Sequence, residues 1–160
     1  MARDAIARQY DVEKNSMTMT CEGVGGYRPG VITFFAKKGK TFDIDNIRES
    51  ITETRLSGGT NMRVDFFEIT AMGDIKLTDK DAILKVPGIA PQFTLAEDAN
   101  AKGSLQKLRD AIQRGDKIVS VTGKLPGWNG TFPKVMRALA QTPEESRYQL
   151  LITSFEIAKK

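Results

Sequence analysis

The chain has no histidine among its 160 residues. This removes the commonest general base near neutral pH, the imidazole metal ligand and the usual pH switch. A serine–histidine–acid triad is excluded. The only cysteine is Cys21. One cysteine forms no intramolecular disulfide and no multi-cysteine zinc site. No apolar run approaches the ~18–20 residues needed to cross a bilayer as a helix. Residues 1–15, MARDAIARQYDVEKN, lack the apolar segment of an intact signal peptide. As written the sequence reads as soluble and cytoplasmic, or periplasmic if a signal peptide has been removed. No nucleophile sits in a recognisable activating motif, so hydrolase, redox and transferase chemistry are not expected.

What is present is an ordinary globular composition, 40% hydrophobic and 28% charged. The net charge of +4 is uneven. Residues 1–73 carry 10 basic and 10 acidic side chains, and residues 74–160 carry 14 and 10. That excess is too small to demand a nucleic-acid partner.

Residues 1–15 read as an N-terminal arm or short helix, with Ala2, Ile6 and Tyr10 on one stripe. Met17 to Cys21 alternates apolar and polar, as a strand does. A glycine-rich loop follows, then residues 31–36, apolar on both faces and expected to be a central strand. Asp43 is a candidate cap for a helix carrying Ile44, Ile47 and Ile51, which Gly58 and Gly59 are expected to end. Residues 62–71 form the next strand, with a bulge expected where Phe66 and Phe67 are adjacent.

From residue 74 the order is three short strands (74–77, 82–86, 92–95), one helix (101–114), a strand (117–124), a long connection and a last strand (149–158). Thr78 to Asp81 and Pro87–Gly88 mark turns. Leu105, Leu108 and Ile112 form a helical stripe, and Gly115 is a stop signal. One helix between the third and fourth of five strands is the order of a small OB-like barrel.

Residues 15–73 resemble a ferredoxin-like module of the heavy-metal-associated family. The resemblance lies in a strand ending at Thr20 and Cys21, a glycine loop, and "RLSGG" preceding "MRVDFFEIT". In that family the loop carries two cysteines separated by two residues. Here the stretch is Cys21, Glu22, Gly23, Val24, and the second cysteine is missing. The resemblance implies a retained scaffold that has lost its metal chemistry. The later half resembles small bacterial OB-like domains, through its element order and the run "GDKIVSVTGKL". The expected architecture is therefore α+β, with an arm at 1–15, a ferredoxin-like βαβ-type module at 16–73 and an OB-like five-stranded barrel at 74–160.

Several constellations invite chemistry. Met17, Met19 and Cys21 put soft sulfur on one strand face, as Cu(I) handling requires, but period-two apolar residues usually pack a core. The glycines from Gly23 lack the Gly-Lys-Ser/Thr ending of a phosphate loop. Asp43, Asp45, Glu49 and Glu53 crowd one helix among basic residues, as a solvated face does, and Asp79 and Asp81 share a turn. Lys85, Lys117, Lys124, Lys134 and Arg137 are a candidate basic strip for single-stranded nucleic acid, but Phe93 is the only aromatic on the second and third barrel strands.

The connection before the last strand is the most informative stretch. Loops beyond ~12–15 residues in compact domains are usually functional or disordered. It holds the only tryptophan, Trp128, with Phe132, Lys134, Met136 and Arg137. Trp, Met and Arg are enriched in interface cores, although Trp128 and Phe132 would also serve to plug a barrel end. The expectation is a non-catalytic protein-binding or assembly subunit without cofactor or metal. Its partner would be another protein, met through those five residues. The alternatives are single-stranded nucleic-acid binding through the barrel and soft-metal handling at Met17, Met19 and Cys21.

Overall fold

The computed structural model describes residues 2–9, 11–21, 30–40, 43–55, 59, 62, 64, 66–89, 92–126 and 148–158, without the side chains of Cys21 and Pro126. The elements are α1 (Ala2–Ala7), β1 (Val12–Cys21), β2 (Gly30–Ala36), α2 (Ile44–Thr52), β3 (Phe66–Ala71), β4 (Asp74–Leu77), β5 (Ala82–Lys85), β6 (Phe93–Glu97), α3 (Ser104–Gln113), β7 (Ile118–Pro126) and β8 (Gln149–Ile157). The chain is mixed α+β and divides into two compact units, Met1–Val64 and Asp65–Lys160.

In the first unit the apolar periodicity of α2 does what it promised. Ile44, Ile47 and Ile51 are buried, together with Ala5 and Ile6 of α1 and Val12 and Met17 of β1. The Asp43 side chain accepts the Asn46 amide at 3.0 Å and caps the helix. α2 ends at Thr52 with Glu53 as its cap, earlier than the glycines at 58 and 59 suggested. The Thr54 amide turns back to the Ile51 carbonyl, which closes the helix without them. Gln9 ties α1 to α2: its amide donates to Ser50 Oγ, and its carbonyl accepts from Asn46, each at 2.8 Å.

β1 and β2 are antiparallel neighbours in a two-stranded sheet. Their register shifts between Glu13 and Thr18. Ser16 fills the irregularity, donating to the Glu13 carbonyl at 2.6 Å and accepting the Phe35 amide at 2.9 Å. β2 is not central as expected: among the described residues it pairs with β1 alone, and Val31 and Phe35 are exposed. Apolar character on both faces raises the propensity for a strand, but a second layer must be present to bury both faces.

The second unit is a six-stranded sheet in the order β3-β7-β8-β6-β5-β4. All neighbours are antiparallel except β6 and β8. β3 and β4 lie at opposite ends of that order, yet only Met72 and Gly73 separate them in sequence. Six strands ~4.8 Å apart would hold flat edges about 24 Å from each other. Three Cα steps span at most about 11 Å. The sheet is therefore strongly coiled, although β3 and β4 share no ladder and, among the described residues, it stays open.

In the link between β3 and β4 the backbone at Gly73 packs closely on β5, where a Cβ would lie 2.2 Å from the Lys85 carbonyl oxygen. The bulge expected at Phe66 and Phe67 is absent: the β3–β7 ladder runs without a shift from Phe66 opposite Pro126 to Ala71 opposite Val121. The adjacent phenylalanines simply face opposite ways, Phe66 outward and Phe67 half-buried.

Inside this sheet lie Ala82, Leu84, Phe93, Leu95, Val121, Leu125, Leu150 and Ile152, with Leu108 and Ala111 of α3. α3 starts at Ser104, later than expected, and its buried face is Ser104, Leu108 and Ala111, with Leu105 and Ile112 half-buried. Ser104 Oγ donates to the Ile152 carbonyl at 3.0 Å, so the small polar residue docks the helix on β8. Gly115, at φ 80°, ends α3: its amide reaches the Ile112 carbonyl at 2.9 Å and the Asp116 amide reaches Ala111 at 3.0 Å. That pair of bonds is the Schellman motif, which requires a left-handed residue and so favours glycine. The turn at Thr78 to Asp81 forms as the sequence implied, with the Thr78 amide bonded to the Asp81 carbonyl at 2.8 Å.

Candidate protein-binding surface

Trp128, Phe132, Lys134, Met136 and Arg137 lie outside the described residues. The frame that carries them is described. β7 and β8 form an antiparallel pair whose last register position is Lys124 opposite Leu151. Beyond it β7 ends at Pro126 and β8 begins at Gln149, so the connection 127–148 leaves and returns on neighbouring strands. Leu125 and Leu150 are buried on either side of this stem. Tyr148 is held too: its ring meets Phe93 edge-on at 6.3 Å, and its carbonyl accepts the Thr94 amide at 3.1 Å. The chain thus enters and leaves the connection through residues locked into the core.

The outer face beside the stem is polar and apolar by turns. The Lys124 amine sits 5.1 Å from the centre of the exposed Phe66 ring, a cation–π contact. Glu68 is directly opposite Lys124, and Thr70 Oγ1 lies 2.9 Å from Thr122 Oγ1. Sequence reasoning missed Phe66 as a surface residue. Its signal was the adjacent pair Phe66 and Phe67, since a regular strand sends one of two neighbours outward.

The remaining candidates do not assemble. Lys85 is opposite Asp74, and Lys124 is opposite Glu68, so both charges are offset across strands. Lys117 precedes β7 at the end away from Lys124, ~23 Å along an extended strand. Lys134 and Arg137 are outside the described residues. Phe93 is fully buried, and the outward positions of β5 and β6 hold Ile83, Lys85, Thr94 and Ala96, none of them aromatic. Met17 is buried while Met19 is 52% exposed, so two of the three sulfur residues occupy different environments, and the Cys21 side chain is not described. Residues 22–29, including most of the glycine loop, are likewise outside the description. On α2, the buried Arg48 lies 3.6 Å from Asp45 and Asp43 accepts the Asn46 amide, so these two acids are engaged within their own helix. Among the described residues no group of three acidic or cysteine side chains is placed to hold a metal ion. Among the same residues no helix is long and apolar enough to cross a membrane.

No family model, curated protein or solved structure matches this chain.

Proposed function

We propose that this protein is a non-catalytic binding or assembly subunit, and that the connection bearing Trp128, Phe132, Lys134, Met136 and Arg137 is its main contact surface for another protein. The observation that carries this reading is the stem. Leu125, Leu150 and Tyr148 fix both ends of a long connection on a packed sheet, and loops presented from rigid scaffolds are where binding residues concentrate. The composition of the connection supports it, since Trp and Arg dominate interface hot spots. With this goes an OB-like arrangement of residues 74–160, a reading supported by the strand order and by α3 lying between β6 and β7. The first unit is read as a ferredoxin-like scaffold from which the metal pair has been lost, as the missing second cysteine suggests.

The test is a native pull-down from the source cells with the intact chain and with Trp128→Ala as baits, followed by affinity measurement on the partner identified. Trp128→Ala is expected to cost on the order of 2 kcal/mol or more in affinity while the thermal melt stays normal. A collapsed melt would make Trp128 a core plug. Unchanged binding with a normal melt would make the connection a bystander.

A further inference from the structure

A thioether takes oxygen from a hydroperoxide only where the oxidant reaches the sulfur, so exposure decides which methionines react. The methionines among the described residues differ sharply in this respect. Met17 of β1 is 8% exposed and belongs to the core of the first unit. Met62 is half-buried. Met19, also on β1 and opposite Ile32, is 52% exposed. Met72 is 67% exposed, the highest value for a large apolar side chain among the described residues. It stands in the two-residue link between β3 and β4 and belongs to neither strand. The link is held on both sides, with Ala71 opposite Val121 and Asp74 opposite Lys85. Met72 is thus an open thioether on a fixed piece of backbone.

We propose that Met72 is an oxidative modification site of this protein, and that its reaction partner is a hydroperoxide. The sulfur lone pair attacks the terminal peroxide oxygen. The S–O bond forms as the O–O bond breaks, and the transferred oxygen passes its proton to the departing group. Water leaves from hydrogen peroxide, or an alcohol from an alkyl hydroperoxide. Sulfur is oxidised by two electrons and the peroxide is reduced by two. The product, methionine sulfoxide, is open to enzymatic reduction back to the thioether, so the mark is reversible. In a core the new polar oxygen disrupts packing, because it is buried without a hydrogen-bond donor. That is the fate of Met17 if it reacts. At Met72 the oxygen meets water, so the fold carries the mark without loss. The surface sulfur is spent while the core sulfur is spared. This goes beyond the partner-binding proposal and uses none of its residues.

The experiment exposes the full chain to dilute hydrogen peroxide, in buffer and in concentrated urea, and follows oxygen uptake at each methionine by peptide mass spectrometry. In buffer Met72 is expected to react within about threefold of its rate in urea. Met17 should react at least about tenfold more slowly than in urea, since its sulfur is reached only when the fold opens. Met72→Gln places a polar side chain of similar length at the same position, and should leave the thermal midpoint unchanged. Met17→Gln should lower it. A Met72 slowed about tenfold or more in buffer, Met17 or Met19 reacting ahead of Met72, equal Met17 rates in buffer and urea, or a midpoint lowered as much by Met72→Gln as by Met17→Gln would each overturn the inference.

Discussion

Gly73 shows how one missing Cβ shapes a sheet. Its backbone is not in the left-handed region, so conformational freedom is not the reason for glycine here. Space is the reason: an added Cβ would meet the Lys85 carbonyl oxygen at 2.2 Å and its carbon at 2.9 Å. These are backbone atoms held by the β4–β5 ladder at the Asp74 and Lys85 pair, so they cannot swing aside as a side chain would. Gly73→Ala is expected to destabilise the second unit by about 1–3 kcal/mol, the usual cost of overpacking. Urea denaturation monitored on purified protein reads this directly. An unchanged midpoint would mean that the bend between β3 and β4 relaxes freely.

At the scale of elements, the β4–β5 hairpin is stapled by a helix. Arg109 of α3 donates from Nη1 to the Thr78 carbonyl at 3.2 Å and from Nη2 to the Lys80 carbonyl at 3.1 Å. The turn has its own bonds at Thr78 and Asp81, so the arginine adds a tertiary tie to a locally competent structure. Its position is exposed to water, which limits its worth. Arg109→Ala should cost about 0.5–1.5 kcal/mol globally, with faster amide exchange concentrated at residues 78–81. Uniform acceleration across the unit would assign Arg109 a general packing role instead. The helix stripe teaches a similar lesson. Leu105, Leu108 and Ile112 fit the helical period, yet the buried face turned toward Ser104 and Ala111. Small residues let α3 approach β8 closely, and Ser104 bonds its backbone. Hydrophobic periodicity ranks faces by apolarity, whereas docking selects the face that fits.

For the whole molecule, charge and sulfur set two expectations. Net charge is only +4, and Lys85 and Lys124 are each opposed by an acid. Added salt should therefore weaken protein-partner binding only modestly, because an aromatic anchor is not screened. Short oligonucleotides binding with a steep salt slope would instead support the nucleic-acid alternative. For metal, a single cysteine, with Met17 and Met19 in unlike environments, gives too few converging soft ligands. The purified chain is expected to lose zinc and Cu(I) to a competing chelator. Stoichiometric Cu(I) retained by the chain and lost in Cys21→Ser would restore the soft-metal reading.

The sequence by itself determined the elements that rest on short-range chemistry. The Asp43 cap, the isoleucine stripe of α2, the turn at Thr78 and the stop at Gly115 all act within a few residues, so a linear reading captures them. It also determined that imidazole is missing, since an absent histidine needs no fold to be absent. Strand order was reachable only as an analogy of element sequence. Tertiary structure decided the rest, because burial is a property of what packs against a residue. It sent Phe66 outward and Phe67 inward, left β2 with one partner among the described residues, separated the environments of Met17 and Met19, and set an acid opposite each of two lysines. None of these follows from spacing, since each depends on a residue brought close from far along the chain.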